Sequence, residues 1–132
     1  MTLGQYLRLL LAGDPGVAAL AGDRVHTEVL PQAPAVPAVV FTEVSGDDDV
    51  ALDGPTGVGS RRVQVDSRAK TRAEATALAL AVRAALVGHT GAAAGFEVQA
   101  VFLLTERWDF EAETSLYRTS QDYELWTSGA AA

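Results

Sequence analysis

The chain has 132 residues, a formal net charge of −7 and no cysteine. That length suits one domain around a single core. The acidic balance excludes a sequence-independent grip on DNA, which needs basic surface to displace counterions, and the missing cysteine excludes disulfides and thiolate chemistry. The charge fits a soluble protein, or one that meets a basic partner surface. Leu9, Leu10 and Leu11 form a run far too short for a membrane span. The N-terminus lacks the basic start and cleavage site of a signal peptide, so a cytoplasmic protein is expected. Apolar residues make up 48% of the chain, but many are alanine. Core energy must come mainly from Leu, Val, Phe, Trp and Tyr, at about 1.5–3 kcal/mol for each fully buried large side chain.

Leu3, Tyr6, Leu7, Leu10 and Leu11 predict a short amphipathic helix ended by Gly13. Asp14 and Pro15 are an N-cap and a first-turn proline, opening a second short helix that stops at Gly22. Residues 24–30 read as a short strand. Pro31, Pro34 and Pro37 suit an extended connection better than a central strand. Residues 38–44, rich in branched and aromatic side chains, predict a strand. Residues 45–60 carry Asp47, Asp48, Asp49 and Asp53 among glycines, and read as a long polar loop. Loops of that length are often functional or mobile. Residues 46–59 are therefore expected to be mobile in the free subunit and to order against a neighbour.

The clearest unit spans residues 61–86. Arg62, Gln64, Asp66 and Arg68 alternate with Val63, Val65, Ser67 and Ala69, the period of a half-buried strand. Thr71 and Glu74 then form a capping-box pattern. Ala75, Leu78, Ala79, Val82, Ala85 and Leu86 make one apolar helical stripe, and Gly88 ends it. After a small-residue turn over 89–95, residues 96–106 predict a strand with Phe96, Val98, Ala100, Phe102 and Leu104 on one face. Residues 107–113 read as a connection, and 115–126 as a last strand closing an antiparallel hairpin. Most of the hairpin aromatics are expected in the core. The order predicts an α+β fold: a mostly antiparallel sheet, one long helix across a face, and short N-terminal helices. Residues 1–127 form a single domain in this reading, with 128–132 a flexible tail.

No pattern carries catalysis or a metal. His26 and His89 lack any H-x-x-x-H or H-x-E spacing and read as structural or surface residues. Counted from Asp47, the acidic stretch places Ala51, Leu52 and Val58 where a calcium loop needs a ligand, glycine and glutamate. Gly54, Gly57 and Gly59 match no phosphate-binding motif. Asp109, Glu111 and Glu113 lack a base or metal partner, and read as a solvated face. No catalytic, cofactor-binding or metal-ligating residue is assigned, and no cofactor is expected. The sharper candidates are contacts between subunits. Arg61, Arg62, Arg68 and Arg72 put positive charge where another copy's Asp47, Asp48, Asp49 and Asp53 could meet it. Exposed Trp108 or Phe110 would suit a protein interface.

One resemblance runs through most of the chain, from about Leu7 to Trp126. Its carriers begin with VAALAGDRV from Val17, then PAVVF from Pro37 with Ser45-Gly46. RVQVD from Arg62 to Asp66 follows, with Thr71, Glu74-Ala75 and AVRAAL from Ala81. Glu106-Arg107, Glu113-Thr114, Leu116-Tyr117-Arg118, Asp122-Tyr123 and Trp126 complete it. In order and spacing these resemble the tail-completion, or tail-terminator, proteins of long-tailed phages and gene transfer agents. The resemblance implies a non-enzymatic subunit of the virion tail or neck, assembled in the bacterial host cytoplasm. It implies a homo-oligomeric ring, a hexamer, that caps the tail tube, stops its polymerisation and helps join it to the head connector. The tail tube protein and head–tail connector proteins would be its partners. DNA would pass through the channel without specific binding, and no membrane is involved. A neck or head–tail connector subunit is the alternative, and a small ligand-binding or hydrolytic domain a more distant one.

Overall fold

A computed structural model describes residues 2–28, 35–51, 54–93 and 95–129. Its elements run α1 (Leu3–Gly13), α2 (Pro15–Ala21), β1 (Val25–Thr27), β2 (Ala38–Ala51), β3 (Gly54–Ala69), α3 (Arg72–Leu86), β4 (Gly91–Ala93), β5 (Phe96–Glu111) and β6 (Leu116–Gly129). The strands form one six-stranded sheet in the order β1-β2-β3-β6-β5-β4. Only the β1–β2 pair is parallel. The mostly antiparallel sheet matches the sequence reading. The helical cover is shared among three helices rather than resting on one.

Local chemistry explains the helices. The Thr2 hydroxyl accepts from the Gln5 backbone N–H while the Gln5 side chain accepts from the Thr2 N–H, a complete capping box that starts α1. Asp14 caps α2 by accepting from Val17 N–H at 3.1 Å, with Pro15 in the first turn. At α3 the Thr71 hydroxyl accepts from Glu74 N–H. The Glu74 carboxylate does not reach back to the Thr71 backbone, as the sequence pattern implied; it accepts a hydrogen bond from the Thr71 hydroxyl instead. The buried face of α3 is Ala75, Leu78, Ala79, Val82 and Leu86. It meets a core that includes Leu3, Leu7, Leu11, Val17, Phe41, Val63, Val65, Val98, Tyr123 and Leu125.

Several expectations are corrected. The strand read over 24–30 is shorter, and within the described residues it ends at Thr27; Pro31 and Pro34 lie outside them. The polar stretch over 45–60 is not a loop. Among the described residues β2 runs on to Ala51 and β3 starts at Gly54, paired with Ser45 opposite Arg62, Gly46 opposite Arg61 and Asp47 opposite Ser60; residues 52 and 53 lie outside the described residues. Cross-strand hydrogen bonding overrides weak strand propensity there, and bulges at 43–45 and 48–50 absorb the irregular residues. Residues 46–51 and 54–59, within the range expected to be mobile, are strand residues. Residues 107–111, read as a connection, belong to β5. Ser128 and Gly129, read as tail, pair with Glu97 and Phe96, while residues 130–132 lie outside the described residues.

The largest correction concerns which face of β5 is buried. Register shifts between Val98 and Ala100 and between Leu103 and Thr105 each insert one residue. Each bulge reverses the alternation. Phe96 and Val98 face the core, but after the first bulge Val101 takes that side. Phe102 and Leu104, expected beside Phe96, are exposed at 53% and 45%.

Candidate assembly surface

β6 runs through the middle of the sheet and sorts its two faces. Gln121 donates to the Ala79 carbonyl of α3 at 3.2 Å, so the odd-numbered positions of β6 face the helices there. Tyr123 shares that side, and its hydroxyl donates to Gln121 Oε1 at 2.8 Å. Burial raises the pKa of that hydroxyl, so it stays a donor. The even-numbered positions point to the face without helices.

The helix-free face carries a lattice of ion pairs. Asp122 accepts from Arg62 at 2.8 Å and from Arg107 at 3.2 Å. Asp66 accepts from Ser120 at 2.6 Å and from Gln64 at 3.1 Å, and faces Arg68 at 3.7 Å. Arg68 continues to Glu111 at 2.5 Å. Arg118 completes the chain through Glu111 at 3.6 Å and through both oxygens of Asp109. The lattice spans β3, β6 and β5, and ties three strands together where no helix covers them. Asp109 and Glu111 are therefore ion-paired strand residues; Asp109 and Glu113 are exposed, as a solvated face requires, and Glu111 is half-buried.

These contacts lower two carboxyl pKa values. The hydrogen bond from Arg118 holds Asp109 below the ordinary carboxylate range, with Arg68 and Arg72 adding to it. At Asp122 burial pushes upward, but hydrogen bonds from Arg62 and Arg107 outweigh it. The unfolded chain then binds protons near the ordinary aspartate value, about pH 4, where the folded chain does not. This contribution is full above that value and is lost as pH falls through the lowered folded values. The urea midpoint is expected to hold above about pH 5 and to fall below about pH 4, with a shallower fall in Asp122→Asn. An identical acid slope in that variant would place the linkage on other groups.

The four candidate arginines do not form one patch. Strand alternation sends Arg62 and Arg68 to the helix-free face, where both are ion-paired. Arg61 sits beside Gly46 of β2, so close that a Cβ there would meet its side chain at 2.8 Å, and it donates to the Ser60 carbonyl. Arg72 lies on α3, donating to the carbonyls of Arg118 and Asp109 at 3.3 and 3.1 Å. Its guanidinium stands 5.1 Å from the Tyr117 ring centre, a cation–π contact. Asp47 lies exposed in β2, and Asp48 and Asp49 follow it in the same strand. Asp53 lies outside the described residues. The hairpin register thus sets Asp47 and Asp48 opposite Ser60 and Gly59, just past Arg61 and Arg62 of the same chain.

Trp108 and Phe110 are exposed at 57% and 50%. Phe110 packs on Tyr117 with ring centres 4.9 Å apart, and Trp108 stands opposite Thr119. The expectation that most of the hairpin aromatics are core holds for Tyr123 but not for these two. Sequence reading missed Phe102, Leu104 and Arg107 as surface residues, and Asp122 as the buried carboxylate that holds Arg62 and Arg107. The unbroken apolar run of residues 101–104 was the available signal, because a one-sided strand would alternate there. His89, for its part, makes a 2.7 Å hydrogen bond with the Tyr6 hydroxyl. Among the described residues, no group of three or more His, Cys, Asp or Glu could hold a metal. No helix there is long and apolar enough to cross a membrane.

Comparison with known proteins gives two findings. The family model described as "Tail completion protein gp17" matches residues 5–128. A chain of the "Virion of native gene transfer agent (GTA) particle" superposes with a TM-score of 0.74 at 24% identity, over 97% of this chain and 96% of that one. At that identity the likeness is one of fold. The comparison with curated proteins found no match.

Proposed function

This chain belongs to the tail completion protein gp17 family, and from that premise we propose that it caps the phage tail tube. It is a non-enzymatic structural protein of the virion tail or neck. In the proposed role it forms a ring, a hexamer, that ends tube polymerisation and helps join the tube to the head connector. The observation carrying this reading is the extent of the match, residues 5–128, which takes in the sheet, the helices and both long hairpins. The gene transfer agent particle, whose chain shares this fold, is a setting in which the same role applies.

The helix-free face suits a channel wall. Arg62, Arg68, Arg107 and Arg118 all have carboxylate partners there. A guanidinium held by a carboxylate has less to offer a phosphate. With a net charge of −7, such a wall lets DNA slide through without a grip. Residues 1–127 act as one domain in this reading.

A neck or head–tail connector subunit is the second reading, favoured by the same membership in the tail or neck. Antibody labelling of intact particles under the electron microscope separates the two. Label is expected where the tail tube ends at the neck, and on tails purified free of heads. Label that stays with tail-less heads would favour the connector.

A further inference from the structure

We propose that copies of this chain join edge to edge, the open edge of β5 in one subunit pairing with the open edge of β2 in the next. The inference rests on the ring reading above and names the surfaces that would build it. β1 covers β2 only over Val39–Phe41. β4 covers β5 only over Phe96–Val98, and Gly88 N–H caps the Val101 carbonyl. Beyond those points, among the described residues, no strand pairs with residues 42–51 of β2 or 102–111 of β5. The two stretches are equal in length and lie on opposite sides of the sheet.

Open edges are usually blunted by charge or covered, because unpaired main-chain groups recruit other strands. β5 is not blunted. Phe102, Leu104, Trp108 and Phe110 are all exposed along it. Its charged residues are already engaged within the subunit: Glu106 by Gln121, Arg107 by Asp122, Asp109 by Arg118, and Glu111 by Arg68 and Arg118. Covering this edge therefore removes apolar surface from water without leaving its own charges unpaired.

Strand direction selects the occupant. Successive pairs β2–β3, β3–β6 and β6–β5 are antiparallel, so β2 and β5 run in opposite senses. A second copy turned about an axis inclined to the strands, and so offset along them, presents β2 antiparallel to β5, continuing the pairing of the sheet. A β5–β5 contact would stop at two copies. A β5–β2 contact uses two different surfaces, and repeats until the rotation closes.

The bulges sit in step with this arrangement. Glu43, Val63, Tyr123 and Leu103 form one row across the sheet. Exposed Val44 bulges beside that row on one edge, and exposed Leu104 on the other. From the row the open stretches run toward opposite ends of the sheet. Neighbours would thus meet with an offset along the strands, as when strands incline to the axis of a closed sheet.

The cysteine-free chain allows a direct test. Val44→Cys protein is mixed under mild oxidation with Phe102→Cys, Leu104→Cys, Trp108→Cys or Phe110→Cys protein, after light scattering has given the mass of the unmodified chain. All five positions are exposed, and circular dichroism checks that each variant folds. A multi-subunit mass is expected, with a disulfide dimer in at least one mixture, none in unmixed variants, and a ladder when both cysteines occupy one chain. A multi-subunit mass with no mixed link, or with β5 variants linking only to themselves, overturns the edge pairing while leaving the ring. A chain that stays monomeric overturns both.

Discussion

Tyr123→Ala is expected to destabilise the protein by about 3–5 kcal/mol, the cost of emptying a well-packed aromatic site. Tyr123 is fully buried at the centre of the sheet, opposite Val63 on one side and Leu103 on the other. Its ring fills the space between sheet and helix, and its hydroxyl anchors Gln121. Gln121 is itself fully buried, and bridges the Ala79 carbonyl of α3 and the Glu106 carboxylate. Truncation opens a cavity and leaves Gln121 Oε1 without its donor. Tyr123→Phe isolates the second part, and should cost about 1–3 kcal/mol through the orphaned acceptor. Against a total stability of about 5–15 kcal/mol for a domain, the alanine variant loses a large share. Urea unfolding of both variants beside the parent checks this. A loss below about 1 kcal/mol in Tyr123→Ala would mean that the site collapses around the gap.

The strand and helix over residues 61–86 were legible because every local signal agreed. Val63, Val65, Ser67 and Ala69 all proved buried, and Thr71 caps the helix. Alternation and capping are short-range, so one sequence carries them. The hairpin over residues 45–60 was not legible. Its glycines and aspartates disfavour strands individually, and their pairing is decided by Arg61, Arg62 and β6 beyond. The exposed face of β5 failed for a different reason. A bulge changes parity by one residue without changing composition, so Phe102 and Leu104 read as core from sequence and stand on the surface in the fold. The family carriers were readable as a string, but not as a patch. Arg61 and Arg62 are adjacent in sequence and point to opposite faces.

These errors share a consequence for the assembly account. Of the four arginines proposed as subunit contacts, Arg62 and Arg68 are ion-paired inside the subunit with Asp122, Asp66 and Glu111, while Arg61 and Arg72 donate to backbone carbonyls. The weight of the proposed contact moves to the β5 edge, where Phe102 is exposed on the helix-free face and Trp108 and Phe110 on the other. A surface of that kind holds through apolar burial and main-chain pairing, so added salt should not dissolve it as it would a contact of exposed charges.

Removal of the protein from its own particle has the largest expected effect if it fills the proposed capping role, because that role ends tube growth. On the proposed reading, a tube left uncapped goes on adding subunits and presents no joining surface to the head connector. Electron microscopy of particles made without this chain, with and without supply of the protein in trans, tests the central claim most directly. The account predicts tails of irregular and excessive length separated from filled heads, with uniform tails and joined particles restored by the supplied protein. Tails of uniform length joined to heads in its absence would contradict it.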